Sequence, residues 1–371
     1  MKSKKSPEKT KAAVPQIAKA TLLIAAGGTG GHITPGISIA EAWLAAGGRI
    51  VFATLIKNLD YPDIARMAPD ERVSIVAYDA PRLPKNPLKF WDFFRRFKAS
   101  YRLVAQAAAA EHVAAVIGMG GYSSFPAVLF AIMQRVPLFL SEQNARWGIV
   151  TRVAKRFARR IFLAFAAGKT LPARFVVTGN PIRAMFTQSG KKPATKQQHL
   201  LFIGGSQGAG DLNKLYLEFC NRAEARGVHC TVATGTAAHG DITARARKGD
   251  QILPFIKDMP GAYNAASAVI ARCGSGTLFE LLWSGKPAFL IPYPYATADH
   301  QKANAVALAQ KMPCAIFDHR PFDTKCAADE LVNFIRNPPQ EKPAAVEAPA
   351  EQQIIRYIEE DLKNASHSPT H

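Results

Sequence analysis

Residues 22–36 of the chain read LLIAAGGTGGHITPG, an apolar run that leads into the glycine pairs 27–28 and 30–31 and a histidine. Residues 200–213, LLFIGGSQGAGDLN, repeat this order of apolar run, glycine-rich turn and helix-compatible segment. Each stretch is typical of the first strand and first turn of a βαβ unit. Two such openings in a chain of 371 residues predict two α/β domains, because a single core rarely grows to this length.

Short apolar runs continue the pattern between and after these openings. RIVFATL, VAAVIGMGG and PLFLSEQN lie in the first half, and HCTVATG, AVIARCGSG and PAFLIPY lie in the second, with helical stretches between them. This alternation predicts two doubly wound parallel sheets. We predict a basic tail at residues 1–20, a first domain at 21–184, a linker at 185–197, a second domain at 198–345, and a C-terminal helix and tail at 346–371 that pack back on the first domain.

The formal charge of +19 is concentrated in the first half of the chain. Residues 1–20 carry six lysines and one glutamate, residues 82–102 carry seven basic side chains and one acidic one, and residues 146–160 carry six basic side chains and no acidic one. This distribution indicates a polyanionic partner, which could be nucleic acid, an anionic membrane surface or a phosphorylated substrate. A solvated charged face is the alternative for each segment.

Cysteine spacing and hydropathy exclude several classes of protein. The five cysteines are scattered and never spaced as CxxC, which argues against a disulfide framework and a zinc site and indicates a reducing, cytoplasmic setting. No apolar run approaches the roughly 18 residues of a membrane span. The lysine-rich N-terminus lacks the apolar core of a secretion signal.

The glycine-rich loops do not match the common nucleotide-binding signatures. From Gly28, the register places an isoleucine where a dinucleotide fingerprint needs its third glycine, and neither loop has the glycine and lysine spacing of a P-loop. Residues 204–208, GGSQG, fit the nucleophile elbow of a serine hydrolase, with Asp258, Asp299 and His300 in the hydrolase order downstream. This alternative leaves the first glycine-rich loop without a role.

Seven motifs follow one another along the chain: GGTGGHITPG, GMGGYSSFPA, EQN, GNPIR, GGSQGA, RCGSGT and DHQKANA. On these motifs, the chain from residue 22 to its final helix resembles glycosyltransferase family 28. The resemblance implies an α/β protein with the GT-B fold, in which two Rossmann-like doubly wound parallel-sheet domains face a central cleft. The first domain would bind mainly the acceptor and the second the nucleotide sugar.

The resemblance also implies a reaction. N-acetylglucosamine would pass, with inversion, from UDP-N-acetylglucosamine (UDP-GlcNAc) to the 4-hydroxyl of undecaprenyl-pyrophosphoryl-N-acetylmuramoyl-pentapeptide (lipid I), giving lipid II of peptidoglycan synthesis. The chain contains no D-x-D pair to seat a divalent ion, so we expect no metal and no cofactor, with helix N-termini taking the phosphate charge. A transferase acting on diacylglycerol and a non-enzymatic binder of nucleotide sugar or nucleic acid are the alternatives.

The predicted donor site draws on both domains. The loops at Ser206 and at residues 275–277 suit the phosphates. The resemblance implies that Glu280 accepts hydrogen bonds from the ribose hydroxyls and that Arg183 and Ile256 surround the uridine. It also implies that the other predicted UDP-GlcNAc contacts face the sugar. The predicted UDP-GlcNAc contacts are Thr29, Gly30, Gly31, Asn144, Arg183, Ser206, Ile256, Ser275, Gly276, Thr277, Glu280, His300 and Gln301.

His32 is our candidate for the general base that accepts the proton of the acceptor hydroxyl, because an imidazole titrates near neutral pH. The alternative is a histidine that caps the loop or the following helix. The resemblance places Gly120, Gly121 and Tyr122 near the acceptor pyrophosphate. The sequence departs from the family pattern at Phe125, Ser141 and Cys273, which leaves the acceptor contacts less defined than the donor contacts.

Residues 81–102 interleave aromatic and basic side chains, a composition typical of a segment that lies in a membrane interface. The predicted membrane contacts are Phe90, Trp91, Phe94, Arg95, Arg96 and Lys98. Some of the aromatic rings could instead belong to the core. With a polyprenyl-anchored acceptor, this segment predicts peripheral attachment to anionic lipid at the cytoplasmic face of the bacterial inner membrane. We expect no nucleic-acid partner, and a cell-wall synthesis complex is a further candidate partner.

Overall fold

The computed structural model describes residues 20–81, 84, 86–166, 168, 170–189, 198–205, 209–296, 299–339 and 349–366. Residues 1–19 of the predicted tail, residues 190–197 of the predicted linker and Ser206 lie outside this part of the chain. The described residues form two parallel β-sheets, each covered by helices on both faces.

The N-terminal sheet has seven strands in the order β3-β2-β1-β4-β5-β6-β7. The strands are β1 Thr21–Ala25, β2 Arg49–Leu55, β3 Val73–Tyr78, β4 Val113–Gly118, β5 Leu138–Glu142, β6 Arg160–Leu163 and β7 Phe175–Val177. The helices of this half are α1 Gly30–Ala45, α2 Pro62–Met67, α3 Phe90–Ala110, α4 Phe125–Met133 and α5 Ile149–Ala154. Short 3₁₀ turns precede α2, α3 and α4.

The C-terminal sheet has six strands in the order β10-β9-β8-β11-β12-β13. The strands are β8 His199–Ile203, β9 His229–Ala233, β10 Gln251–Leu253, β11 Ala268–Ala271, β12 Ala288–Leu290 and β13 Cys314–Ile316. The helices are α6 Ala184–Ser189, α7 Gly210–Cys220, α8 His239–Arg245, α9 Met259–Ala265, α10 Ser275–Ser284, α11 His300–Ala309, α12 Thr324–Arg336 and α13 Ala350–Ser366.

Burial on both faces explains the continuous apolar runs in the sequence. Leu22 and Ile24 belong to the core on one face of the N-terminal sheet, whereas Leu23 and Ala25 belong to the core on the other, and all four are fully buried. A strand covered by helices on both faces has no solvent-facing position to fill with polar residues.

Glycine-rich turns follow the four strands at which the strand order reverses. In the N-terminal sheet these strands are β1 and β4, and in the C-terminal sheet they are β8 and β11. Ligands of open parallel sheets bind at this point, outside the carboxyl ends of the strands. The topology therefore directs the GGTGG, GMGGY and RCGSG motifs, and Gly204 and Gly205 of GGSQG, to the binding edges of the two sheets.

Two connections link the halves of the molecule. Helix α6 covers residues 184–189, so residues 185–189 of the predicted linker are helical. Helix α13 packs on the N-terminal domain, where Ile354 and Ile358 are fully buried in the core with α1. Arg160 of β6 forms a two-pronged ion pair with Asp361, with both N–O distances 2.7 Å.

Candidate active site

Helix α1 begins at Gly30, directly after the turn that leaves β1. A Cβ at Gly36 would lie 2.7 Å from Ala26 Cβ, so this glycine allows α1 to pack closely on the strand end. The first N–H groups of α1, on Gly30 and Gly31, have no acceptor within the helix. With the exposed N-cap residue Thr29, they form a polar edge that a hydroxyl or anionic ligand can contact.

His32 lies between this helix start and the turn after β4. Its Nδ1 is 2.9 Å from Oε1 of Gln143, which follows β5. Gly121 has a φ of +70°, and a Cβ there would lie 3.2 Å from His32 Cδ2 and Nε2. A side chain at this position would therefore be strained and would crowd the imidazole. The structure thus brings the predicted base against the predicted acceptor loop.

Glu142 ends β5 and is 3% exposed. One of its carboxylate oxygens accepts hydrogen bonds from the backbone N–H of Asn144 at 3.1 Å and from Asn144 Nδ2 at 3.4 Å. The other accepts from the Gly148 N–H at 2.8 Å and from Thr151 Oγ1 at 2.7 Å. A buried carboxylate with four donors is well compensated. It fixes the turn that carries Gln143 and Asn144.

Asn304 of α11 joins the two domains at the cleft and is fully buried. Its Nδ2 donates to Asn144 Oδ1 at 3.2 Å and to the Cys273 carbonyl at 3.3 Å, and its Oδ1 accepts from the Ala145 N–H at 2.8 Å. The predicted sugar contact Asn144 is therefore bound by the N-terminal domain through Glu142 and by the C-terminal domain through Asn304.

Helix α10 begins at Ser275, after the N-cap residue Gly274 in extended conformation. A Cβ at Gly274 or Gly276 would meet no heavy atom of the described residues within 4 Å, so the helix start borders open space. The N–H groups of Ser275, Gly276 and Thr277 occupy the first turn, where backbone donors and the helix dipole favour an anion. The predicted phosphate loop at residues 275–277 lies at this helix start.

Glu280 lies in the next turn of α10 and is 8% exposed. Its Oε1 accepts from Arg183 Nη2 at 2.9 Å, and its Oε2 accepts from Tyr263 Oη at 3.3 Å. Burial raises the pKa of Glu280, and the Arg183 guanidinium opposes that rise. Each carboxylate oxygen has a second lone pair, so the ion pair leaves acceptor capacity for ribose hydroxyls.

The remaining predicted donor contacts lie on the same edge of the C-terminal sheet. His300 begins α11, and Gln301 Oε1 accepts from the N–H groups of Cys273 and Tyr293 at 3.2 and 2.9 Å. The oxygen of Gln301 therefore joins two loops, which leaves its amide N–H₂ to donate to a ligand. Ile256 is buried at 5% exposure.

Helix α3 presents the predicted membrane segment. Trp91 is 81% exposed and Phe94 is 59% exposed, whereas Phe97 packs on Phe125 with ring centroids 5.5 Å apart. Phe90 is 36% exposed. Arg95 forms an ion pair with Asp92, with an N–O distance of 2.8 Å. The structure therefore exposes some of these aromatic side chains, as expected for a membrane segment. It packs others against the rest of the domain, as expected for the core alternative.

Both halves of the chain are similar to known protein families. The model of the glycosyltransferase family 28 N-terminal domain matches residues 22–163, and that of the C-terminal domain matches residues 199–361. A UDP-N-acetylglucosamine–N-acetylmuramyl-(pentapeptide) pyrophosphoryl-undecaprenol N-acetylglucosamine transferase of Syntrophus aciditrophicus is 32% identical over 342 residues, which cover 85% of this chain and 90% of that protein. The protein of that name from Chlorobaculum tepidum is 31% identical over 85% of this chain and 90% of its own length.

The chain belongs to glycosyltransferase family 28. Among solved structures, Acinetobacter baumannii MurG superposes with a TM-score of 0.66 at 24% identity, covering 92% of this chain and 99% of that one. A Neisseria meningitidis UDP-GlcNAc 2-epimerase shares the fold at 12% identity with a TM-score of 0.59, covering 92% of this chain and all of that one. The predicted family and the predicted GT-B fold are confirmed.

The sequence interpretation of this family 28 glycosyltransferase missed four residues that shape the site. Glu142 and Gln143 lie within the EQN motif and Asn304 lies within DHQKANA, so the motifs themselves were the available signal. Their partners are up to 160 positions away in the chain, and no spacing reveals such contacts. Tyr263, the hydroxyl partner of Glu280, had no sequence signal.

Proposed function

We propose that this glycosyltransferase transfers N-acetylglucosamine from UDP-GlcNAc to the 4-hydroxyl of lipid I. The observation that carries the proposal is the packing of helix α1 against helix α10 across the cleft. Helix α1, with His32 in its first turn, contacts α10, which carries a phosphate-type N-terminus and Glu280. An acceptor group beside His32 and a nucleotide sugar on α10 would therefore meet at the same place.

The C-terminal half supplies the features that a UDP-sugar needs. The α10 N-terminus, together with the Ser206 loop, would bind the pyrophosphate. Glu280 would accept from the ribose hydroxyls, Arg183 and the Ile256 backbone would lie around the uracil, and His300, Gln301 and Asn144 would contact the sugar. Fixed donors suit the reaction because they stabilise the charge that develops on the leaving UDP.

The N-terminal half would prepare the acceptor. His32 Nε2 accepts the proton of the 4-hydroxyl while the hydroxyl oxygen forms a bond to the anomeric carbon, and the bond from that carbon to the phosphate oxygen breaks with its electrons leaving on UDP. One displacement of this kind inverts the anomeric configuration. Gly120, Gly121 and Tyr122 would border the acceptor pyrophosphate.

Helix α3 supports a location at the membrane surface. No helix in the described part of the chain has the length and apolar character needed to cross a bilayer. The exposed Trp91 and Phe94 lie among Arg95, Arg96 and Lys98, which fits binding to the headgroup region of anionic lipid. This surface would hold the enzyme on the cytoplasmic leaflet, where the polyprenyl tail of its acceptor is anchored.

The decisive experiment follows radiolabelled sugar from UDP-GlcNAc to a lipid I analogue in the presence of EDTA, with diacylglycerol as the competing acceptor. Transfer to the lipid I analogue alone is expected. Transfer to diacylglycerol alone would identify a different glycolipid synthase, and an absence of released UDP with both acceptors would show a binding protein.

The base assignment has its own test. Proton transfer by a positioned side chain contributes about 10²- to 10⁴-fold, so His32→Ala should lower kcat by this order. UDP affinity should remain near the wild-type value because most of the proposed nucleotide contacts lie in the other domain. His229→Ala, a change at an exposed histidine on β9, is the control. A His32→Ala enzyme with normal kcat would return His32 to a structural role.

A further inference from the structure

The side chain of Gln143 is held in one orientation by the chain that precedes it. Its Nε2 donates to the Ser141 carbonyl at 3.0 Å and to Ser141 Oγ at 2.9 Å. A carbonyl oxygen can only accept a hydrogen bond, so the nitrogen end of the amide faces Ser141 and the oxygen end faces His32. Gln143 is 1% exposed, and no solvent competes for either end.

This orientation determines which ring nitrogen of His32 carries the proton. Gln143 Oε1 has only lone pairs to offer, and it lies 2.9 Å from Nδ1. Nδ1 must therefore be the N–H donor, and Nε2 of the neutral ring then has a free lone pair. The hydrogen bond made by one imidazole nitrogen sets the state of the other. Nε2 lies against Gly121, on the side of the acceptor loop.

We propose that Gln143, oriented by Ser141, is a positioning residue that holds His32 as the Nδ1–H tautomer and so presents a basic Nε2 to the acceptor hydroxyl. This inference rests on the proposed function for its catalytic consequence, but the tautomer itself follows from the hydrogen bonds among His32, Gln143 and Ser141 alone. An amide in this position fixes the ring without adding a negative charge. Ser141, a departure from the family pattern, supplies both acceptors that orient the amide, its backbone carbonyl and its hydroxyl.

Nitrogen NMR of the histidine-labelled enzyme tests the tautomer without any substrate. The wild type should show a protonated Nδ1 and an unprotonated Nε2 for His32, assigned by loss of that signal in His32→Ala. Gln143→Ala should lose this preference, and Gln310→Ala, a change at an exposed amide directly after α11, should keep it. A wild-type His32 protonated at Nε2 would overturn the proposal.

A double-mutant cycle tests the catalytic consequence. Misplacement of a catalytic group costs about 10²-fold, so Gln143→Ala should lower kcat by about 10- to 10²-fold with the KM for UDP-GlcNAc near wild type. In the His32→Ala background the same change should have no further effect, because Gln143 acts only through His32. Effects that multiply, or a normal kcat for His32→Ala, would overturn the catalytic role.

Gln143→Glu gives a readout that a merely structural role would not move. A carboxylate beside Nδ1 favours the protonated imidazole, so the acidic limb of the kcat/KM profile should shift to higher pH. Activity above that limb should exceed that of Gln143→Ala. An unshifted limb would contradict the proposal. Failure of the proposed function is distinct, since it would appear as an absence of sugar transfer by the wild type while the NMR result stands.

Discussion

At the scale of single residues, Glu280 shows how burial and pairing are balanced in the cleft. The carboxylate is almost out of contact with water, and Arg183 and Tyr263 each bind one of its oxygens. Burial raises the pKa of Glu280. Burial also raises the pKa of Tyr263, so the phenol keeps its proton and donates it to the Glu280 carboxylate.

Glu280→Ala should weaken UDP-GlcNAc binding by about 1–3 kcal/mol, the range for a lost charge-assisted hydrogen bond. Isothermal titration calorimetry measures this directly, with Glu330→Ala as a control because Glu330 is an exposed residue of α12. Glu280→Gln should bind the donor more tightly than Glu280→Ala, since its amide oxygen still accepts. An unchanged affinity in Glu280→Ala, with only the melting temperature lowered, would make the residue structural.

Glu351 at the start of α13 is a second buried carboxyl, and its Oε2 has no hydrogen-bond partner among the described residues. Burial and the charge of Glu41 on α1 raise its pKa above the ordinary 4.5, while the local backbone lowers it. A carboxyl with a raised folded-state pKa retains its proton in the folded protein, so its contribution to stability is lost as pH rises above 4.5 through the folded pKa.

Glu351→Gln should therefore raise the melting temperature at pH 8 relative to the wild type, and the difference should shrink as the pH approaches 5. Differential scanning calorimetry across this range provides the measurement. The exposed Glu360→Gln, further along α13, is the control and should show no such trend. A difference in melting temperature that stays the same at every pH would mean that the amide acts through its packing and not by replacing a titrating carboxyl.

At the scale of elements, helices α13 and α3 both have amphipathic sequences, but they differ in how much of the apolar side is buried. Helix α13 buries its apolar side against α1, with Ile354 and Ile358 inaccessible to solvent. Helix α3 leaves Trp91 and Phe94 exposed while Val104 and Ala108 are buried. The N-terminal part of α3 therefore projects beyond the sheet that its C-terminal part covers, and this part carries the aromatic and basic residues.

Vesicles containing anionic lipid should retain the protein at low salt through α3. Each basic residue near the surface contributes roughly 1 kcal/mol, a term that salt screens, whereas inserted aromatic side chains add an apolar term that salt does not screen. Trp91→Ser with Phe94→Ser should reduce retention at high salt without lowering the melting temperature, because both rings are exposed. Arg95, Arg96 and Lys98 changed to Glu should abolish most retention at low salt.

Phe97→Ser is the matched control for this experiment, because that ring packs on Phe125 and its loss should lower stability. If the wild-type protein does not bind anionic vesicles, α3 is an ordinary solvated helix. The enzyme would then bind its acceptor through the cleft alone.

At the scale of the whole molecule, Asn304 makes two hydrogen bonds across the cleft, to Asn144 and to Ala145 of the N-terminal domain. Asn304→Ala removes these bonds and leaves the Asn144 and Ala145 groups to find other partners. The loss of such buried hydrogen bonds costs about 1–3 kcal/mol. It therefore lowers the fraction of molecules in which the two domains meet at Asn304. We expect a higher KM for UDP-GlcNAc and a lower kcat together, with each domain still folded.

Small-angle X-ray scattering with saturating UDP-GlcNAc provides the structural readout, and Asn304→Ala should have the larger radius of gyration. Asn221→Ala, an exposed change at the end of α7, is the control. If Asn304→Ala scatters as the wild type but loses activity, Asn304 contacts substrate rather than joining the domains.

The sequence by itself determined the two parallel sheets and the loops that face the cleft. Strands buried on both faces require unbroken apolar runs such as LLIA at 22–25, and sheet topology directs the turns after them to one edge, so composition and order were enough. The motifs also determined the family, because their order along the chain is specific even where each is weak.

Only the tertiary structure decided which side chains meet. His32 and Gln143 are 111 positions apart, Arg183 and Glu280 are 97 apart, and Asn144 and Asn304 are 160 apart, so neither helical nor strand periodicity could link them. Helix α3 shows the same limit of sequence analysis. Trp91 and Phe97 belong to one amphipathic pattern, yet Trp91 is exposed and Phe97 packs on Phe125. Local sequence sets the period of an element, but the packing of distant elements sets which of its residues touch a neighbour and which remain for a ligand or a membrane.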